Sequence, residues 1–197
     1  MVDGIAFVLL GGYFVSFMSG NTTRGSVNLL SGGALIAVPL VAAFVAGVIA
    51  ATALRRASRT WRRTIALGLT ATLLIAAAIS LAFGSAPLAS GVLMAAGMGG
   101  LNTVFSGDGE STFGLTYMTG ALVKLGQGVV AAFTGGSRTG WIRYLLMWIS
   151  IAVGAFVGAT TLSYAGASIA TSIAAGLALV AAVIAMAMTF SRRRTAG

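Results

Sequence analysis

The chain of 197 residues contains neither cysteine nor histidine. Their absence removes disulfides, thiolate nucleophiles, the commonest metal ligand and the usual general base. Acidic residues are nearly missing as well: Asp3, Asp108 and Glu110 are the only three. Asp108 and Glu110 form the one close carboxylate pair, and no buried acid–base site can be built from the others. The chain is therefore not expected to be an enzyme, and no cofactor or metal is implied. Charged residues of both signs make up 8% of the sequence, where a soluble domain carries about a quarter. So few charges cannot cover the surface of a domain this size in water. Disorder is excluded too, because it requires low hydrophobicity and 58% of these residues are hydrophobic.

What is present is apolar sequence in long runs, with a mean hydropathy of +1.00. Six spans of about 20 residues would use most of the chain and leave only short loops. Five runs are long enough to cross: Ala34 to Leu54, Thr64 to Phe83, Ala86 to Phe105, Trp141 to Leu162 and Ala167 to Phe190. Gly4 to Ser19 is short for a span, and Phe113 to Phe133 carries Lys124 and four glycines. No basic segment precedes the first apolar run, so a signal peptide is not expected. The net charge of +9 does not indicate nucleic acid, because the cations stand at the ends of apolar segments.

The excess of cations on cytoplasmic loops orients the chain. Arg55, Arg56, Arg59, Arg62 and Arg63 mark one cytoplasmic loop, and Arg192, Arg193 and Arg194 a cytoplasmic C-terminus. Counting spans from either end places both Phe105 and Trp141 inside. The segment between them then re-enters and leaves on the same side. On this topology all of the 12 Lys and Arg except Arg24 are cytoplasmic, and Trp61 and Trp141 lie at the inner interface.

A short motif occurs twice. Ser16-Phe17-Met18-Ser19-Gly20 and Thr116-Tyr117-Met118-Thr119-Gly120 both read hydroxyl, aromatic, Met, hydroxyl, Gly. A cation follows each Met by six residues, Arg24 in one copy and Lys124 in the other. Asp3 precedes Met18 by 15 residues and Asn102 precedes Met118 by 16. Ala43-Phe44-Val45 matches Ala155-Phe156-Val157 downstream. The expected architecture is an all-α membrane domain of about six transmembrane segments. It consists of two inverted three-span repeats, residues 1–83 and 84–197, each with an interrupted, re-entrant half-helix. The alignment also predicts a short first span: either it is truncated in this chain or, the favoured expectation, the natural start lies further upstream.

Gly20-Asn21-Thr22-Thr23 reads as a capped helix start, with Asn and Thr bonding exposed N–H groups. An extended stretch is expected before it. Two such helix ends converging near the midplane would hold a small solute, and Arg24 and Lys124 in their first turns would favour an anion. The candidate binding residues are Asp3, Ser19, Gly20, Asn21, Arg24, Asn102, Thr119, Gly120 and Lys124. Each has a structural alternative: capping, snorkelling to the interface, or for Asp3 a bond to the first motif. Ser106 to Ser111 reads as a solvated turn. Ala43/Gly47 and Gly154/Gly158 read as helix contacts.

Val2-Asp3-Gly4, the run from Gly11 to Thr23, and Thr116-Tyr117-Met118-Thr119-Gly120 together resemble the YoaK-like family of bacterial inner-membrane proteins. The resemblance extends over essentially the whole chain and implies about six spans and an inner-membrane location. It implies no substrate. This chain has Ala121 where the family pattern has threonine, which removes a hydroxyl from the second motif. The function expected is a secondary transporter or channel for a small solute. A structural or partner subunit is the alternative, and a membrane enzyme a weaker one. The partners expected are the bilayer and the solute, with homo-oligomerisation open and no nucleic acid.

Overall fold

A computed structural model describes residues 1–58, 60–104 and 118–194, with side chains through Ser191 apart from Met118. Helices α1 (Val2–Leu9) and α2 (Met18–Val27) are separated by irregular backbone. A single 3-10 turn, Leu29–Ser31, leads into α3 (Gly33–Arg56). There follow α4 (Arg62–Ala82), α5 (Pro87–Asn102), α6 (Met118–Phe133), α7 (Ile142–Ala165) and α8 (Ala167–Arg194). Among the described residues every regular element is helical.

The boundaries follow from local chemistry. Gly32 takes a left-handed conformation, φ 83°, and turns the chain into α3. Pro87 opens α5, where its missing N–H costs nothing. Arg55 and Arg56 occupy the last turn of α3, where the helix dipole favours cations. Four helices, α3, α4, α7 and α8, are long and apolar enough to cross a membrane. At 16 residues α5 falls short of the span expected for Ala86 to Phe105. The last residue of that run, Phe105, lies outside the described residues, as do Thr116, Tyr117, Asp108, Glu110 and the expected turn from Ser106 to Ser111.

The helices pack in a definite order. The α4 helix lies along α8, α5 sits between α3 and α4, α2 covers one side of α3, and α1 and α6 rest on α7. Small residues allow this. Ala71, Ala77 and Ala78 on α4 and Ala170, Ala174 and Ala175 on α8 are buried. Lipid tails are as apolar as these side chains, so association depends on close packing and interhelical hydrogen bonds rather than on escape from water. Thr70 Oγ1 donates to the Gly97 carbonyl of α5 at 3.0 Å, and Ser168 Oγ to the Ala78 carbonyl of α4 at 3.2 Å.

At two crossings backbone meets backbone. A Cβ added to Gly47 of α3 would overlap the Ala96 carbonyl of α5, and one added to Gly99 of α5 would overlap the Phe44 carbonyl of α3. In the same way Gly4 of α1 faces the Ala155 carbonyl of α7, and Gly158 of α7 faces the Met1 carbonyl. Gly47, Gly154 and Gly158 therefore do form helix contacts, all within this chain.

Candidate functional site

The break between α1 and α2 carries the polar chemistry of the first motif. The chain leaves α1 through Gly11 and Gly12, at φ 62° and 97°, which an L side chain rarely adopts. It then runs irregularly to Phe17. Backbone without helix or sheet partners must be satisfied by side chains if it lies at membrane depth. Three side chains do so here.

Asn21, fully buried, is the first. Its Oδ1 accepts from the Phe14 N–H at 2.8 Å and its Nδ2 donates to the Phe14 carbonyl at 2.6 Å. This is the pair of bonds that a neighbouring β-strand would make. Asp3 on α1 is the second. Its Oδ1 accepts from the N–H groups of Val15 and Ser16, both at 2.9 Å, and Oδ2 accepts from the Ser16 hydroxyl. Arg24 is the third: Nη1 donates to the Gly12 carbonyl at 3.0 Å and Nη2 to the Gly11 carbonyl at 2.8 Å. Its guanidinium also lies over the Tyr13 ring, 4.9 Å from the centroid, and Tyr13 Oη donates to the Gly33 carbonyl at 3.3 Å.

Two expectations need correction. The helix does not start at Gly20 with Asn21 as its cap. It starts at Met18, and Phe17 at the N-cap position makes no side-chain cap bond. The Asn21 amide is taken by Phe14, because satisfying a whole buried peptide outweighs capping one N–H. As a result Arg24 falls in the last turn of α2, not the first. There the dipole favours a cation, and the guanidinium also bonds the Gly11 and Gly12 carbonyls of the break. The argument for an anion from a cation opposing the dipole therefore fails at Arg24. Lys124 stands in the second turn of α6 and is exposed, so it does not oppose the dipole from the first turn either.

Beside this clasp lies an open hollow of about 600 Å³, lined by Phe14, Phe17, Ser19, Gly20, Thr23 and Arg24 among others. Phe14 and Phe17 meet edge to face at 5.4 Å, and Phe7 sits 5.0 Å from Phe14. The hollow thus has an aromatic wall and a rim of two hydroxyls with one guanidinium. Of the sequence candidates, Ser19, Gly20 and Arg24 line it, while Asp3 and Asn21 hold the backbone behind it.

The second set stands elsewhere. Asn102 Nδ2 donates to the Met98 carbonyl of its own helix at 2.8 Å. Thr119 and Lys124 are exposed and Gly120 half-buried on α6, which packs on α7, whereas α2 packs on α3. The described residues do not bring the two sets into one contact. Thr23, Phe14 and the Gly11-Gly12 pair were missed as site residues. The adjacent glycines before an aromatic run were the available signal for a backbone break.

Long apolar helices, a broken helix pair and a polar clasp where backbone is interrupted define a multi-pass membrane protein. The match to known proteins narrows this. The chain belongs to the family described as protein of unknown function (DUF1275), whose model matches residues 1–185. It is also 35% identical over 166 residues to UPF0700 transmembrane protein RA0705 of Rhizobium meliloti (strain 1021), covering 84% of this chain and 72% of that one. No solved structure matches the chain.

Proposed function

We propose that the chain is a six-span carrier or channel for a small polar solute, built as two inverted copies and inserted with its C-terminus in the cytoplasm of a bacterial inner membrane. Within its family we group it with the YoaK-like members. The observation that carries the reading is the repeated crossing. Met1 at the N-cap of α1 and Gly4 within it meet Ala155 and Gly158 of α7 as Ala96 and Gly99 of α5 meet Phe44 and Gly47 of α3. In each of these helices a carbonyl is followed three residues later by the glycine that receives its partner's carbonyl. The first helix of each copy thus crosses the second span of the other, an exchange that inversion would produce. Interrupted helices in such folds mark the solute path.

The solute site is the hollow beside the α1–α2 break. Both outer nitrogens of Arg24 serve backbone carbonyls, so the ligand groups are the Ser19 and Thr23 hydroxyls against the Phe14 and Phe17 rings. This favours a neutral polar solute with an apolar face over a strong anion.

The test is solute flux into liposomes containing the purified protein, read by light scattering across a panel of small neutral and anionic solutes. Faster entry of one class is expected, lowered roughly tenfold in Ser19→Ala/Thr23→Val. No flux for any solute, with no rise in melting temperature on adding them, would overturn the reading. Topology is checked separately. The chain has no cysteine, so single-cysteine variants Ser31→Cys and Ser137→Cys should label from opposite sides.

A further inference from the structure

The hollow beside the α1–α2 break differs from the spanning helices in how its hydroxyls are used. Every serine and threonine of α7, namely Ser150, Thr160, Thr161 and Ser163, donates to a carbonyl of its own helix. That is how a hydroxyl is satisfied where water is absent. Thr22 on α2 does the same, to the Met18 carbonyl at 2.9 Å. Ser19 and Thr23 do not. Both are exposed, line the hollow and bond no group among the described residues. They stand one turn apart on α2, about 5–6 Å between Cβ atoms. Each can both donate and accept.

The aromatic wall is as definite. Phe14 and Phe17 stand at 85° to one another, so two rings set nearly at a right angle bound the hollow. Gly20 makes this possible. A Cβ there would overlap the Phe17 ring, so glycine lets that ring lie on the first turn of α2. A planar amide or heterocyclic base would need a donor beside an acceptor, and those are already spent. Asn21 gives both groups to Phe14, and Asn28 Nδ2 donates to the Arg24 carbonyl at 3.0 Å. What remains is hydroxyl and π surface. Its complement is a ring with hydroxyls at the rim and C–H groups on the face, because C–H bonds carry partial positive charge and settle on the negative face of an aromatic ring.

We propose that the solute of this hollow is a pyranose sugar, with its C–H face against Phe14 and Phe17 and its hydroxyls on Ser19 and Thr23. Gly20 is then a specificity residue, because it sets where the Phe17 ring lies. The proposal rests on reading the hollow as the solute site and names the class of solute that site takes.

The experiment compares glucose with sorbitol, which carries the hydroxyls on an open chain without the ring. Glycerol, urea and uracil complete the panel. Entry into liposomes containing the purified protein, above that into protein-free liposomes, is read by light scattering. Glucose should enter several-fold faster than sorbitol and faster than uracil. Phe17→Leu, which keeps apolar bulk at an exposed position, should reduce the preference for glucose over sorbitol by roughly two- to tenfold, the weight of one aromatic face. Gly20→Ala favours the helix but displaces the Phe17 ring, and should reduce the preference likewise. Equal entry of glucose and sorbitol, faster entry of uracil, or entry of glycerol and urea alone overturns the sugar assignment and leaves the solute site standing. A preference unchanged in both variants overturns it as well, since the rings then do not read the solute. No entry of any solute removes the solute site itself, and the sugar with it. The comparison of glucose with sorbitol needs no variant, so it decides even if neither substituted protein folds.

Discussion

Backbone comes close to backbone in two regions of this protein, by opposite means. At the crossing of α3 and α5 side chains are missing: Gly47 and Gly99 leave room for the Ala96 and Phe44 carbonyls. At the α1–α2 break side chains are added: Asn21, Asp3 and Arg24 bond the backbone of residues 11–16. The first region keeps its own helical hydrogen bonds and gains dispersion from proximity. The second has given up helical bonds and must replace them one by one. Steric closeness is therefore all-or-none, while the polar clasp is divisible into separate bonds.

The sharpest test of the crossing is Gly47→Val. The new side chain would overlap a carbonyl of a helix that is itself wedged between α3 and α4, so neither neighbour can yield. A loss of about 3 kcal/mol or more is expected, or failure to fold, read by thermal unfolding in detergent. Gly158→Val meets the same obstacle on α7, but α1 is eight residues long and can shift away more easily. Its loss should be smaller. Equal losses would show that both crossings are equally constrained and break the distinction drawn from helix length.

Next in size is Asn21→Ala. It strips both bonds from the Phe14 peptide and leaves a cavity at a fully buried position. Net hydrogen bonds contribute about 1 kcal/mol each, and stranded buried groups cost more, so roughly 2–3 kcal/mol is expected. Asn21→Asp keeps the acceptor for the Phe14 N–H and loses the donor, so it should fall between alanine and the native residue if the clasp is divisible. An Asp variant as damaged as Ala would show instead that the clasp behaves as a unit.

This contrast also explains what could be read in advance. Spans were legible because hydropathy is summed over many residues, and the helices of α3, α4, α7 and α8 lie within a few residues of the apolar runs. The glycine contacts were legible because small residues four apart have few other uses in a spanning helix. The clasp was legible only in part. Gly20-Asn21-Thr22-Thr23 is a sound cap by local rules, but the same amide fits a peptide seven residues upstream, and a local pattern cannot see that competitor. Once Asn21 went to Phe14 the helix began earlier, and the position of Arg24 relative to its dipole reversed. One misjudged partner therefore changed the electrostatic reading of the whole motif.

The smallest effect belongs to Arg24→Lys, and it separates charge from geometry. Lysine retains the positive charge in the last turn of α2 and so keeps the dipole interaction. It loses the fork that reaches the Gly11 and Gly12 carbonyls together, and the flat cation over Tyr13. Because the residue is exposed, one carbonyl left to water costs little, and a loss of about 1 kcal/mol or less is expected in thermal unfolding. Arg24→Gln should cost more, since it removes the charge from the last turn of α2 as well as the fork. If Lys and Gln are equally damaging, the fork holds the break and the charge is incidental. If Lys is silent and Gln is not, the dipole of α2 is what Arg24 serves, and the clasp reduces to Asn21 and Asp3.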